Sequence, residues 1–173
     1  MRSILMSIRP QWCNLIFNGD ETIELRKTRP NYMEILTPFK VFVYETMAIL
    51  EEPWIDEDGH MNWRGSGRIV GEFVCNMIYQ LEWDSYGIFD RYSVDPINLN
   101  VYEYLDLFPD SSHVSMQKTC VTKSDFVEYA NGKQVYGWEI ENPKRYKTPI
   151  DLSACGIKRA PQSWCYVESE VQP

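Results

Sequence analysis

The first 26 residues predict a strand, a short helix and a second strand in close succession, and this pattern constrains the fold more than any other. Residues 3–8 are β-prone, and Pro10 ends the strand. Residues 11–18 carry apolar side chains at helical spacing, and the Asn18-Gly19 pair is a typical helix stop. Residues 22–26 then alternate between apolar and polar side chains, which indicates a half-buried strand.

The rest of the chain predicts further strands and one further helix. The strands are expected at residues 40–45, 68–81, 134–140 and 163–167, the helix from Thr122 or Ser124 to Ala130, an acidic loop at 51–66, and a basic turn between Pro143 and Pro149. Residues 82–121 predict short helices and turns. We therefore expect a mixed α+β fold on a small, strongly bent β-sheet or barrel, and the 173 residues suit one domain, 1–173.

The charge of the chain argues against indiscriminate binding of nucleic acid. There are 17 lysines and arginines and 25 acidic residues, so the net charge is −8 at pH 7, whereas nucleic-acid-binding domains usually present a basic surface. The acidic excess is local, because residues 45–110 contain 14 acidic and 3 basic side chains. The remaining segments are mildly basic, which is compatible with a positive cleft for a small ligand or a short RNA element.

Cysteine and histidine are too few and too widely spaced to predict a metal site. None of the five cysteines forms a C-x-x-C pair, and His60 and His113 stand at no ligand spacing from a cysteine or from each other. No glycine-rich nucleotide-cofactor motif occurs. No run of about 18 apolar residues predicts a membrane-spanning helix, and the opening residues do not resemble a signal peptide. We expect a cytoplasmic protein with reduced thiols, without metal, cofactor or membrane association.

The densest polar signal lies in the second strand, where Glu24 and Arg26 are two residues apart. Alternate residues of a strand leave the same face, so the carboxylate and the guanidinium lie side by side. In a cleft they would supply acceptors and a rigid fork of donors, which suits a nucleobase edge or a phosphate. The alternative is a solvated strand face with a weak surface ion pair.

A second signal follows the strand that contains Trp138. Lys144, Arg145 and Lys147 cluster after this aromatic residue, and aromatic faces beside cations can stack bases and hold phosphates. The alternative is that Trp138 belongs to the core and the basic turn is simply solvated.

Motifs along most of the chain resemble those of a known family. The matching segments are residues 7–12, 19–26, 43–45, 67–73 and 137–143. Together they resemble the ASCH domain, a PUA-like β-barrel whose signature is Gly-x-Lys-x-x-Glu-x-Arg after a short helix. The ending at 160–167 is similar to that of a subgroup found in Firmicutes genomes and their prophages.

The resemblance implies a PUA-like bent β-barrel of about five to six strands. Short helices would flank the barrel, with a helical or irregular insertion at about 82–130. It also implies a cleft between the barrel and the first helix that takes RNA or a modified nucleoside. The strand-two glutamate and arginine line that cleft, which here are Glu24 and Arg26.

Some members of the family are amidohydrolases acting on acetylated cytidine, and others have been described as ribonucleases. The amidohydrolase branch uses the lysine of the Gly-x-Lys motif as its base, with a threonine and a glutamate nearby. In this chain Glu21 stands at the lysine position and Glu24 at that threonine position. Because this departure removes the nitrogen base, we expect a binding protein rather than an amidohydrolase.

The first of three functional hypotheses is binding of RNA or of a small nucleotide or nucleoside. We expect Glu24 and Arg26 to share a cleft with Trp12 and Tyr44, in which Glu24 accepts from base edges, Arg26 contacts phosphate or carbonyl groups, and aromatic rings stack. The candidate ligand-binding residues are Ser7, Arg9, Trp12, Glu24, Arg26, Lys27, Tyr44, Glu45, Trp138 and Lys144.

Two alternatives stay open. The first is a small hydrolase of modified nucleosides or of RNA, with Glu21, Glu24 or Glu72 as the base and Arg26 stabilising negative charge. The second is a phage-encoded interaction protein that counters a host factor, with a protein partner bound through the acidic segment 45–110.

Overall fold

The computed structural model describes residues 2–55, 59–83, 88–93 and 116–168. Within these residues the helices and strands are, in chain order, β1 (Arg2–Ile8), α1 (Pro10–Asn18), β2 (Ile23–Arg26), β3 (Phe39–Glu45), β4 (Ile49–Ile55), β5 (Met61–Arg64), β6 (Ile69–Cys75), β7 (Ile78–Trp83), β8 (Ile88–Ser93), α2 (Met116–Thr119), α3 (Lys123–Ala130), β9 (Val135–Glu139), β10 (Glu141–Ile150), a 3₁₀ helix (Leu152–Cys155) and β11 (Trp164–Glu168). The described chain divides into two compact units. The first contains residues 2–18, 40–73 and 142–168, and the second contains the rest.

The first unit is built on a five-stranded sheet with the strand order β10-β6-β3-β1-β11. β1 lies between two partners: it runs parallel to β3, with Leu5 opposite Phe42, and antiparallel to β11, with Leu5 opposite Cys165. Every residue of β1 after Arg2 is buried, as is typical of a central strand covered on both faces. Leu5 and Phe42 pack in one core cluster with Ile69 and further apolar residues.

Helix α1 follows β1 directly and begins at Pro10. Proline suits the first position of a helix, since its missing N–H would have no partner there and its φ is already close to the helical value. Cys13 and Ile16 turn into the core. The helix ends before Gly19, whose φ of +82° favours glycine. The strand, helix and strand predicted for the start of the chain are therefore confirmed.

The second unit is built on a four-stranded sheet with the order β2-β9-β7-β8. β9 pairs antiparallel with β2 on one side and β7 on the other, so that Trp138 lies opposite both Glu24 and Ile78. The core of this unit contains Ile23, Leu25, Leu81, Phe126 and Val135.

Helix α3 of the second unit begins and ends where its sequence predicts. Oγ1 of Thr122 accepts from the N–H of Asp125 at 3.2 Å, and Oδ2 of Asp125 accepts from the N–H of Thr122 at 3.1 Å. This reciprocal pair is a capping box. Asn131 ends the helix in the left-handed region, with a φ of 45°.

Three predictions of local structure are wrong. Residues 51–66 are not all loop, because β4 and β5 pair there as an antiparallel hairpin. Residues 68–81 are not one strand, because β6 ends at Cys75 and β7 begins at Ile78. Residues 143–149 are not a turn but part of β10. β10 is an edge strand of its sheet, which is where a sheet tolerates proline.

The fold class is mixed α+β, as predicted, with helices accompanying the sheets. Among the described residues the strands form sheets of five, four and two strands, and no ring of strands closes. These eleven strands among the described residues are more than the five or six that we expected for the barrel. Of the expected insertion at 82–130, residues 84–87 and 94–115 lie outside the described residues, and the remainder contains β8 as well as helices. The assignment of 1–173 to one domain stays a prediction.

Candidate functional site

Strand β2 positions the two charged side chains that the sequence singles out. Ile23 and Leu25 belong to the core of the second unit, so Glu24 and Arg26 leave the opposite face of the strand. Nη2 of Arg26 lies 3.0 Å from Oε1 of Glu24. At this distance the guanidinium donates a charge-assisted hydrogen bond to the carboxylate.

The Glu24–Arg26 pair is almost entirely removed from solvent. The side chain of Arg26 is 11% exposed and that of Glu24 is 10% exposed. The alternative of a solvated surface pair is therefore wrong. Burying each ion costs several kcal/mol of free energy unless a partner offsets it. Ionisable groups held in this way are frequent at functional sites, although structural ion pairs share the property.

Glu21 adds a third ionisable group to this pair. It is 3% exposed and shares a side-chain hydrogen bond with Glu24. Burial raises the pKa of Glu21, and the charge and hydrogen bond of Glu24 raise it further, while the charge of Arg26 only partly opposes them. Glu21 is therefore a neutral carboxyl group at pH 7. Its Oε2 has no hydrogen-bond partner among the described residues.

Cations and aromatic rings follow the pair along the chain and face one another. Nζ of Lys27 lies 4.8 Å from the ring centroid of Tyr129, and the guanidinium carbon of Arg29 lies 4.3 Å from that of Tyr32. The hydroxyl of Tyr129 donates to the carbonyl of Leu25 at 3.2 Å, across 104 positions of sequence. The sequence places Arg29 among the basic residues that could form a positive cleft, whereas sequence reasoning missed Tyr32 and Tyr129. No local signal marks Tyr129.

Two of the predicted stacking residues lie in hydrophobic cores. Trp138 is fully buried, and its ring packs edge-on against Phe39, with the centroids 5.8 Å apart. Tyr44 is buried in the core cluster of the first unit. Neither ring presents a face to solvent, so the stacking role predicted for them does not fit this structure. The core interpretation of Trp138 is correct.

The other candidates near the start of the chain lie in the first unit. Oγ of Ser7 donates to the carbonyl of Pro161 at 2.7 Å, and Glu45 accepts from the N–H of Ser66 at 2.6 Å. Both residues are buried, and their polar groups hold neighbouring loops. Arg9 is exposed, and Trp12 on α1 is half-buried. The cleft expected to unite Trp12 and Tyr44 with Glu24 and Arg26 stays a prediction.

Glu72, proposed from the sequence as a base, is already engaged in the first unit. It accepts hydrogen bonds from Nζ of Lys40 at 3.0 Å and from the hydroxyl of Tyr146. Burial alone would raise the pKa of Glu72, but these hydrogen bonds and the charges of Lys40 and Lys144 lower it overall. A carboxylate stabilised in this way is a poor base. Lys144 itself is exposed on β10.

In the described part of the chain, no group of three or more potential metal ligands comes together, and no helix is long and apolar enough to cross a membrane. An open groove of about 360 Å³ is lined by residues of α3, β7 and β9 and of the loop between α3 and β9, among them Phe126, Val127 and Lys133. None of the predicted site residues lines this groove.

Solved structures share this fold. The crystal structure of ASCH from Zymomonas mobilis matches with a TM-score of 0.58 and 13% identity, over 96% of this chain and 87% of that chain. Two single-residue variants from the same organism, a tyrosine-to-phenylalanine and a serine-to-alanine change, give TM-scores of 0.59 and 0.57 at 12% and 13% identity. These two matches cover 96% of this chain and 90% and 88% of theirs. No protein-family model matches the sequence, and no curated protein matches it. The chain thus has the ASCH-domain fold that its motifs imply.

Proposed function

We propose that this protein binds a nucleotide or a short RNA element through the second unit. The observation that carries the proposal is the Glu24–Arg26 pair, joined at 3.0 Å on one face of β2 and about nine-tenths buried. A carboxylate offers acceptors to the amino group of a base, and a guanidinium offers a planar fork of donors to carbonyl or phosphate oxygens. Held side by side, they present a mixed donor and acceptor edge like that of a nucleobase.

The charges next to the pair support a phosphorylated ligand. The charge of Arg26 is balanced by Glu24, whereas Lys27 is exposed and held over an aromatic ring. Together with Arg29, Lys27 forms a small cationic region. Since the whole chain carries a net charge of −8, the rest of the surface repels long polyanions. Salt screens the repulsion between charges more than about 8–10 Å apart, so a small ligand at this region is repelled much less.

The fold supports the same class of ligand. The structural neighbours are ASCH proteins, and the resemblance in the sequence motifs implies a site for RNA or a modified nucleoside at the strand-two glutamate and arginine. A cytoplasmic location fits such a ligand and stays a prediction, as does the prophage origin.

The test is binding of the four ribonucleoside monophosphates and of a short single-stranded RNA, measured by thermal shift and calorimetry. Arg26→Lys keeps the charge but removes the guanidinium fork, so we expect affinity to fall at least about tenfold. Lys27→Ala should weaken binding and reduce its salt dependence. Lys133→Ala removes an exposed lysine of the same unit and should change neither. If no probe binds, or if Arg26→Lys binds as the wild type does, the proposal is wrong.

Hydrolysis of a modified nucleoside or of RNA is the second candidate function, and the state of Glu21 favours it. A neutral carboxyl hydrogen-bonded to a carboxylate is suited to donate a proton to a leaving group rather than to act as a base. Incubation with N4-acetylcytidine and with a structured RNA, followed by chromatography, tests this function. Glu21→Gln should abolish any product formed. Absence of product from both substrates would exclude these two reactions.

A further inference from the structure

The guanidinium of Arg29 contacts two tyrosine rings of the second unit. Its central carbon lies 4.3 Å from the ring centroid of Tyr32 and 5.7 Å from that of Tyr136. Both distances are within the range in which a cation is attracted to an aromatic face. Because the rings already restrict the side chain of Arg29, less conformational entropy is lost when it binds a ligand.

A turn of the backbone positions the ring of Tyr32. Oδ1 of Asn31 accepts from the N–H of Met33 at 3.0 Å, and the carbonyl of Asn31 accepts from the N–H of Glu34 at 2.9 Å. These two hydrogen bonds close the chain around Tyr32, as asparagine side chains often do in turns. The ring that Arg29 contacts is therefore carried by an ordered turn.

The second ring connects Arg29 with the Glu24–Arg26 pair. Tyr136 lies directly opposite Arg26 in the ladder of β2 and β9, and opposite residues leave the same face of a sheet. Arg29 follows Arg26 by three residues, so their Cα atoms are at most about 11 Å apart. In a nucleotide, one ribose separates the base from the phosphate. Arg29 is therefore close enough to reach the phosphate of a nucleotide whose base contacts the pair.

The two arginines differ in what their donors contact. Nη2 of Arg26 donates to Glu24 at 3.0 Å, whereas in the part of the chain that the structure describes no carboxylate forms an ion pair with Arg29. A guanidinium stacked on a ring has its N–H groups in its own plane, where they form a fork that fits phosphate oxygens. Arg29 is half-buried, so part of this fork is open to a ligand.

We propose that Arg29 is the phosphate anchor of the nucleotide site and makes the protein prefer a nucleoside monophosphate to the free nucleoside. This inference rests on the proposed function and adds a ligand class to it. The fork of Arg29 donates two parallel hydrogen bonds to the phosphate, and the rings of Tyr32 and Tyr136 hold the fork in place. The base contacts Glu24 and Arg26.

Calorimetry with the whole protein, the four ribonucleosides and their 5′- and 3′-monophosphates tests the anchor. For the base that binds best, we expect one of the two monophosphates to bind at least about tenfold more tightly than the nucleoside. Arg29→Gln should remove most of this preference and leave the affinity for the nucleoside within about twofold of the wild type. Arg159→Gln removes an exposed arginine of the first unit and should leave the preference unchanged.

Ring variants separate a stacked guanidinium from charge alone. Tyr32→Leu removes one aromatic face and should reduce the monophosphate preference about two- to fivefold, whereas Tyr32→Phe keeps the ring and should keep the preference. Circular dichroism shows that each variant is folded. If Tyr32→Leu does not fold, Tyr136→Leu makes the same test. Equal preferences in the leucine and phenylalanine variants would overturn the role of the rings.

The outcomes distinguish failure of the anchor from failure of the proposed function. If Arg26→Lys weakens binding of nucleosides and monophosphates alike while Arg29→Gln keeps the wild-type preference, the anchor is wrong and nucleotide binding stands. Equal losses for Arg29→Gln and Arg159→Gln would also overturn the anchor, because net charge would then explain them. If no nucleoside or nucleotide binds, the proposed function is wrong. Titration with inorganic phosphate, followed by phosphorus NMR, then tests the anchor separately: binding that Arg29→Gln removes supports it, and absence of binding overturns it.

Discussion

The guanidinium of Arg26 lies 3.0 Å from the carboxylate of Glu24 on one face of β2, and the two side chains are about nine-tenths buried. Removing one member of a buried ion pair leaves the other charge without its partner, which typically costs about 3–5 kcal/mol. We expect Arg26→Ala to lower the free energy of unfolding by about this amount. In the double variant Arg26→Ala, Glu24→Gln the loss should be clearly smaller than the sum of the two single losses. Urea unfolding of the four proteins measures this coupling, and strictly additive losses would show that the contact contributes nothing.

The neutral state of Glu21 predicts a pH-dependent effect of its replacement. The pKa of Glu21 in the folded protein lies above the unfolded value of 4.5. Above that pH the native state therefore keeps a proton that the unfolded state has lost, and the free energy of unfolding falls as pH rises. Glutamine stays neutral and can still hydrogen-bond Glu24. One pKa unit corresponds to about 1.4 kcal/mol, and pH 8 lies 3.5 pH units above the unfolded pKa of 4.5. Glu21→Gln should therefore be more stable than the wild type by up to about 5 kcal/mol at pH 8.

That stabilisation should shrink toward zero near pH 4, where Glu21 is protonated in both states. Urea unfolding at several pH values measures the difference. Glu128→Gln changes an exposed glutamate on α3 and should show no such trend. A difference between Glu21→Gln and the wild type that does not vary with pH would contradict a raised pKa for Glu21.

Tyr146 predicts the opposite pH trend. Its hydroxyl donates to Oε2 of Glu72 and is one of the interactions that lower the pKa of Glu72. A group with a lowered pKa contributes stability above its unfolded value, here 4.5, and loses it as pH falls. Tyr146→Phe should therefore cost about 0.5–1.5 kcal/mol at pH 7 and less in acid. Tyr136→Phe removes a hydroxyl that does not contact Glu72, so its loss of stability should not become smaller as pH falls. Thermal unfolding at several pH values measures the two losses.

Gly71 on β6 is a position where only glycine fits. A Cβ at this position would lie 2.4 Å from the backbone carbonyl oxygen of Lys144 and 2.4 Å from Cζ of Phe17. Forcing extra atoms into a packed site costs about 1–3 kcal/mol, and a backbone atom cannot rotate away. We expect Gly71→Ala to reach the upper end of that range. In Gly137→Ala the nearest atoms belong to side chains, Ile23 and Leu81, so the loss should be smaller. Equal melting temperatures for Gly71→Ala and the wild type would contradict the close approach.

Much of the fold could be predicted because it depends on neighbouring residues. Helix α1 begins at Pro10 and ends at Asn18-Gly19, and helix α3 is capped by Thr122 and Asn131. Alternation along residues 22–26 indicates β2. Each of these signals acts within one turn or one strand. The β4–β5 hairpin escaped prediction because its apolar side chains are exposed among acidic ones, a pattern typical of a loop. β10 escaped because proline is tolerated there only by virtue of the edge position of the strand.

The candidate site likewise has some properties that follow from neighbouring residues and others that depend on tertiary packing. That Glu24 and Arg26 share a face follows from the two-residue repeat of any strand, so the printed sequence alone is sufficient to pair them. Other properties of the site depend on which distant elements cover β2. These are the burial of the pair, the protonation state of Glu21 and the access of a ligand to Trp138. Tyr129, which ties α3 to β2, is 104 positions from its partner Leu25. Burial and the pKa shifts that follow from it are sums over all surrounding groups, so only the packed chain decides them.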